Sequence, residues 1–203
     1  MATAQTHDDF PQAMSVAEYF ALSDASTDTK YEYARGKVYA MAGASWRHNV
    51  INSNTNAALH GALRGKPCTV VSSDTRLKVD SDLVSFRYPD LLVVCGEPNF
   101  VEDRTDTIDN PTVVIEILSL DNALQDFNDM LNDYVALPTI QSYVVIAQNE
   151  AKVMHYARQS SGKWLYEQKH GLDSTLTIPS LDVTLTLADI YETVTFDQAD
   201  KAE

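Results

Sequence analysis

The stretches Arg87-Tyr-Pro-Asp-Leu-Leu-Val-Val-Cys95 and Pro111-Thr-Val-Val-Ile-Glu-Ile-Leu118 decide the fold. Both read as short apolar strands rich in Val, Ile and Leu. Each carries one acid, Asp90 or Glu116. A carboxylate in such a run loses hydration worth several kcal/mol, so it persists where a cation or hydrogen bonds replace the water. A divalent metal is the obvious cation. The rival reading pairs both acids with Arg76 or Lys78.

Outward from these strands, the pattern continues in both directions. Ser15 with Glu18 reads as a capping box before a short helix carrying Tyr19, Phe20 and Leu22. Tyr31 to Met41 reads as two strands around Arg35-Gly36, a hairpin. Ser45 caps a helix whose Val50, Ile51, Thr55, Ala58, Leu59, Ala62 and Leu63 follow helical spacing until Gly65-Lys-Pro67. Strands are expected near 69–72 and 75–79, then around the two acids at 89–94 and 112–118. A helix opening at Asp121 carries Leu124, Phe127, Leu131, Tyr134 and Val135, and stops before Pro138. Strands at 142–147, 152–158 and 163–169 form a meander, with a turn at Ser160-Ser-Gly162. The expected fold is α/β, a sandwich with a mixed central sheet flanked by helices and a C-terminal antiparallel meander.

The 203 residues suit one domain, expected over 13–195, after a frayed or disordered 1–12 and before an acidic tail at 196–203. No apolar run approaches the roughly 20 residues of a membrane span, and Met1 to Phe10 lacks the regions of a signal peptide, so cytoplasm is the default location. Cys68 and Cys95 in strand-like contexts read as buried reduced thiols. His60, His155 and His170 have no metal-ligand spacing, and phosphate loops and nucleophile elbows are absent from the sequence.

A net charge of -14 opposes generic nucleic-acid binding. The charge is uneven, however. Lys30 to Asp90 carries nine basic and five acidic residues, whereas Leu91 to Glu203 carries six and nineteen. Arg35, Lys37, Arg47, Arg64, Lys66, Arg76, Lys78 and Arg87 are expected either to line one cleft or to form a solvated mixed surface.

Two acidic strand residues 26 positions apart, the first after Pro89, resemble the framework of the PD-(D/E)xK nuclease superfamily. Glu32-Tyr-Ala-Arg-Gly-Lys-Val-Tyr-Ala-Met-Ala-Gly43, His48, Asp126, Tyr134-Val-Ala-Leu-Pro138 and Tyr143-Val-Val-Ile146 further resemble the Uma family of restriction-endonuclease-like proteins, from about Glu18 to about Tyr191. The resemblance implies a restriction-endonuclease-like core. It also implies that Asp90, Glu116 and the Ile117 carbonyl hold Mg2+ or Mn2+, and that Glu32, His48 and Asp126 belong to the catalytic set. The superfamily lysine, two residues after the second acid, is Leu118 here. In Uma-like sequences the lysine falls four residues after the helical aspartate, and Met130 stands there.

The expected function is therefore a divalent-metal-dependent DNA endonuclease lacking the usual lysine, with a catalytically inactive binding or assembly module as the alternative. A homodimer is expected, because the meander offers edge strands and nucleases of this fold often cut both strands as dimers.

Overall fold

The computed structural model describes residues 13–72, 74–80, 83–101, 104–119 and 124–196, without the side chains of 124–126. The expected frayed start, the opening of a helix at Asp121 and the tail from 197 onward lie outside the described residues.

Helix α1 (Val16–Ala25) begins at the expected capping box, in which Glu18 reaches back to the Ser15 backbone. It packs on the hairpin β1 (Tyr31–Ala34) and β2 (Lys37–Ala40). Arg35 and Gly36 both have positive φ, at 54° and 85°. That conformation defines the tight turn whose twist matches paired strands, and glycine adopts it without steric cost. Ser45 caps α2 (Trp46–Ala62) by accepting from the His48 amide.

Strands β3 (Cys68–Ser72), β4 (Arg76–Val79), β5 (Ser85–Arg87), β6 (Leu91–Cys95), β7 (Thr107–Ile108) and β8 (Val113–Leu118) lead into α3 (Leu124–Ala136). The chain closes with β9 (Ser142–Ala147), β10 (Lys152–Arg158), β11 (Trp164–His170), β12 (Thr175–Ile178), β13 (Val183–Thr186) and α4 (Leu187–Ile190).

A six-stranded sheet runs β11-β10-β9-β8-β6-β3 and is mixed, because only the β8–β9 pair is parallel. The expected meander, β9 to β11, extends the central sheet. A second sheet, β2-β1-β5-β4-β7, and the β12–β13 hairpin complete the strands.

Alternation along β8 separates two cores. Val113, Ile115 and Ile117 pack with Ile51 and Leu59 of α2 and with the β12–β13 and α4 region. Val114 and Leu118 face the other way, against Met130 and Tyr134 of α3 and Leu77 of β4. Each fully buried Leu or Ile contributes about 1.5–3 kcal/mol. Glu116 lies between Val114 and Leu118 on the α3 side, so its carboxylate enters an apolar layer.

Two sequence expectations are corrected here. Cys68 and Cys95 are opposite partners in the antiparallel β3–β6 register, with Cα atoms 4.0 Å apart, and they form a disulfide. The buried pair of reduced thiols is therefore not present. The basic residues also do not line one cleft. Arg76 and Arg87 are internal. Arg35 pairs with α3 acids, and Lys66 binds the Leu181 and Asp182 carbonyls. Among the described residues, no helix is long and apolar enough to cross a membrane.

Closing the loop between the cysteines stabilises the fold by roughly 3–4 kcal/mol on loop-entropy grounds. Alkylating the denatured protein without reductant is expected to label neither cysteine, and with reductant to label both. Mass spectrometry reads the difference, and Cys68→Ser with Cys95→Ser should lower the urea midpoint.

Candidate metal and catalytic site

Asp90 stands one residue before β6, and Glu116 lies in the neighbouring β8. The β6–β8 register pairs Leu91 with Ile115, which brings the two carboxylates to one end of the sheet. The Ile117 amide donates to Asp90 Oδ2 at 2.8 Å, and the Asp90 amide lies 3.5 Å from Glu116 Oε2. The N–H and C=O of one strand residue leave the same edge. The Ile117 carbonyl therefore leaves β8 on the Asp90 side.

His48, in the first turn of α2, places Nε2 3.0 Å from Asp90 Oδ1. The contact is short, yet it lies outside good hydrogen-bond angles. Both ring nitrogens are buried without a well-directed partner. The Tyr134 hydroxyl donates to Glu116 Oε1 at 2.6 Å, so one face of α3 closes the site.

Burial pushes the Glu116 carboxyl up to about 8, and the Asp90 charge adds to the rise, against a smaller lowering by the Tyr134 hydrogen bond. Burial raises the Asp90 carboxyl while the nearby His48 and the Ile117 amide lower it, and the carboxyl lies below its ordinary value. Asp90 is the carboxylate and Glu116 the acid that retains a proton near neutrality.

Glu32 holds this site from the second sheet. Its Oε1 accepts from the Tyr88 amide at 2.9 Å, and its Oε2 lies 3.3 Å from Arg87 Nη1. Arg87 Nη2 donates to Asp133 Oδ2 at 2.9 Å, and Arg35 bridges Asp133 and Asp129. This chain of charges ties β1, β5 and α3 together and fixes the backbone just before Asp90. Removing one partner of such a buried pair costs about 3–5 kcal/mol, because the other charge is left uncompensated.

The pairing of Asp90 or Glu116 with Arg76 or Lys78 does not occur in the contacts described. Arg76 donates to Tyr88 Oη and Ser23 Oγ, and Lys78 faces Asp80. Leu118 and Met130 are fully buried in the apolar core. Asp126 has its side chain outside the described residues.

Lys30, Glu32, His48, Tyr88, Asp90 and Glu116 line one cavity of about 360 Å³. Among the described residues, Lys30 is the only lysine or arginine on its walls. It is half-exposed, paired with Asp74, and its ammonium lies 5.9 Å from the Tyr88 ring centroid. The sequence reading passed over Lys30 because it sits in a loop before β1, and only the second sheet brings that loop against the end of β6.

Among the described residues, no group of three or more His, Cys, Asp and Glu side chains stands ready to enclose a metal. Two carboxylates, a strand carbonyl and an imidazole lacking a good partner nonetheless fit a hard cation that keeps water ligands. Mg2+ or Mn2+ has that character.

The fold and this arrangement of acids define a restriction-endonuclease-like protein, a class whose nucleases commonly use divalent metals. The chain belongs to the Uma2 family, described as "Putative restriction endonuclease", whose model matches residues 16–188. The uncharacterized protein sll1609 of Synechocystis sp. is 30% identical over 158 residues, covering 78% of this chain and 88% of that protein. The uncharacterized protein slr1290 of the same organism is 27% identical, covering 92% and 95%. The fold is similar to a crystal structure titled as a putative nuclease belonging to DUF820 from Anabaena variabilis, with TM-score 0.70 at 19% identity, covering 88% of this chain and 97% of that one.

The Glu116 shift has a definite sign. With its folded pKa raised, the native state keeps a proton that the unfolded chain releases, so stability falls as pH rises from about 4.5 to about 8. In metal-free buffer the melting temperature should decline across that window, and Glu116→Gln should flatten the decline. Differential scanning calorimetry at a series of pH values measures both.

Proposed function

We propose that this chain is a Mg2+- or Mn2+-dependent endonuclease acting on DNA phosphodiesters. The observation carrying this reading is the single cavity in which Asp90, Glu116, His48 and Lys30 converge. Asp90, Glu116 and the Ile117 carbonyl would hold the metal. When bound, it would supply Lewis-acid polarisation of the phosphate and a more acidic water.

The remaining tasks fall to the protein. His48 orients Asp90, Tyr134 orients Glu116, and Glu32 is a positioning residue acting through Tyr88 and Arg87. Lys30 takes the part left empty at Leu118 and Met130. Its ammonium, released from Asp74, would lie beside the scissile phosphate and offset the charge that grows on the phosphorane oxygens. Met130 cannot serve, since it lies in the core. A lysine introduced there would bury an unpaired ammonium at a cost of several kcal/mol.

The second reading is a catalytically inactive nuclease fold kept for binding or assembly. It is favoured by the apolar surroundings of Leu118 and Met130 and by the net charge of -14. Supercoiled-plasmid nicking in Mg2+ and in Mn2+ separates the two. Wild type is expected to cut, Asp90→Ala to lose activity, and Lys30→Met to fall roughly 10²-fold. Met130→Lys is expected to melt earlier and gain nothing. Absence of nicking by wild type, with DNA still retained in a filter assay, establishes the binding module instead.

A homodimer accompanies this function, since β11 ends the central sheet and leaves Leu165 and Tyr166 exposed beside an open strand edge. Light scattering at micromolar concentration should give twice the chain mass; a strict monomer overturns the dimer.

A further inference from the structure

Strand β11 ends the central sheet, and among the described residues no strand lies beside its outer edge. The ladder on its inner side shows which main-chain groups that outer edge carries. The Gln159 amide donates to the Lys163 carbonyl at one end of the β10–β11 pair, and the Gly171 amide donates to the Ala151 carbonyl at the other. The N–H and C=O of one strand residue leave the same edge, and the next residue uses the opposite edge. Odd-numbered residues from Lys163 to Gly171 therefore bond to β10, while Trp164, Tyr166, Gln168 and His170 turn their N–H and C=O groups outward.

The side chains along this edge are partly apolar, since Leu165, Tyr166 and the nearby Leu172 are each about half-exposed. Glu167 and Lys169 alternate with the outward-bonding residues and share one face, where Lys169 Nζ lies 3.7 Å from Glu167 Oε2. Charges on an edge strand commonly deter pairing with another chain. A single sign deters it in every register. Opposite signs two residues apart deter it in some registers and favour it in another.

A second copy of the chain meets this edge with the same groups, antiparallel and about a two-fold axis. Three such registers overlap five or more residues of β11, centred on Tyr166, Glu167 or Gln168. The first sets Lys163 opposite the partner's Lys169. The second sets Glu167 opposite the partner's Glu167. The third sets Glu167 opposite the partner's Lys169 on each side of the axis, at positions not bonded through the main chain, where side chains approach most closely.

We propose that the chain forms a two-fold dimer by antiparallel pairing of β11 with the β11 of a second copy, centred on Gln168. Tyr166 exchanges main-chain bonds with the partner's His170, the two copies of Gln168 bond across the axis, and Glu167 pairs with the partner's Lys169 on both sides. The proposal rests on the dimer put forward above and fixes its register. Among the described residues, β9, β10 and β11 contribute nothing to the walls of the Asp90 and Glu116 cavity, so the joined edge lies away from it.

Light scattering across a dilution series of the full chain reads the dimer dissociation constant. Glu167→Lys and Lys169→Glu each place like charges across the axis and are expected to raise that constant about 10-fold or more, while the two substitutions together restore it. Neither side chain is buried, and restoration by the double exchange separates a lost ion pair from a damaged fold. Gln168→Cys, at the axis, should form a covalent dimer on mild oxidation. Leu165→Cys, roughly 20 Å from its copy, should not.

A dimer indifferent to both single exchanges, or linked through Leu165→Cys and not through Gln168→Cys, overturns the register and leaves a dimer through another face. A strict monomer overturns the register and the dimer together. Plasmid nicking enters neither readout, so the nuclease reading stands or falls by its own assay.

Discussion

Asp90 and Glu116 are two acids held side by side at the end of an apolar sheet, and the loss of their hydration on burial is the condition to which the surrounding residues answer. The Ile117 amide, the His48 imidazole and the Tyr134 hydroxyl each turn toward one of the two carboxyls. These contacts do not remove the strain, since Glu116 remains an acid with its carboxyl pushed up to about 8. A divalent cation would relieve it by replacing both the lost water and the retained proton. Without one, the pair is a destabilising element that the apolar packing on both faces of β8 must offset.

The second sheet is the frame that makes this tolerable. Glu32 fixes the Tyr88 amide and meets Arg87, which in turn meets Asp133 of α3. Three elements distant in sequence are thereby locked around the residue preceding Pro89. Glu32 sits at a recognisable motif position, and its geometry is that of a support for the acid that follows. The same sheet carries the Lys30 loop to the cavity wall. A cation thus reaches the site from an element outside the strand and helix where the superfamily usually keeps its lysine.

Much of the architecture was legible from local chemistry. The caps at Ser15 and Ser45, the Arg35-Gly36 turn, the β6 and β8 strands and the meander follow from short-range hydrogen bonding and alternation. The failures share one cause. Ser85–Arg87 and Thr107–Ile108 are too short for a periodic signal and exist only because neighbouring strands pair with them. Cys68 and Cys95 look like two separate apolar thiols until the β3–β6 register sets them opposite each other. Arg76 and Arg87 look like surface cations because burial of a charge depends on partners elsewhere in the chain.

The sequence by itself determined which residues carry acidity within apolar strands, where helices begin, and that the usual lysine positions hold Leu118 and Met130. Those are properties of residue type and short spacing, which act before any long-range contact forms. Tertiary structure alone decided which charges meet. It buried Arg87 between Glu32 and Asp133, joined the two cysteines, brought Lys30 to the wall of the cavity that holds the acids and left Trp46 in water beside a polar cavity. Such outcomes depend on strand register and sheet packing, because a charge or an aromatic ring acquires its energy from neighbours that the chain supplies from far along its length.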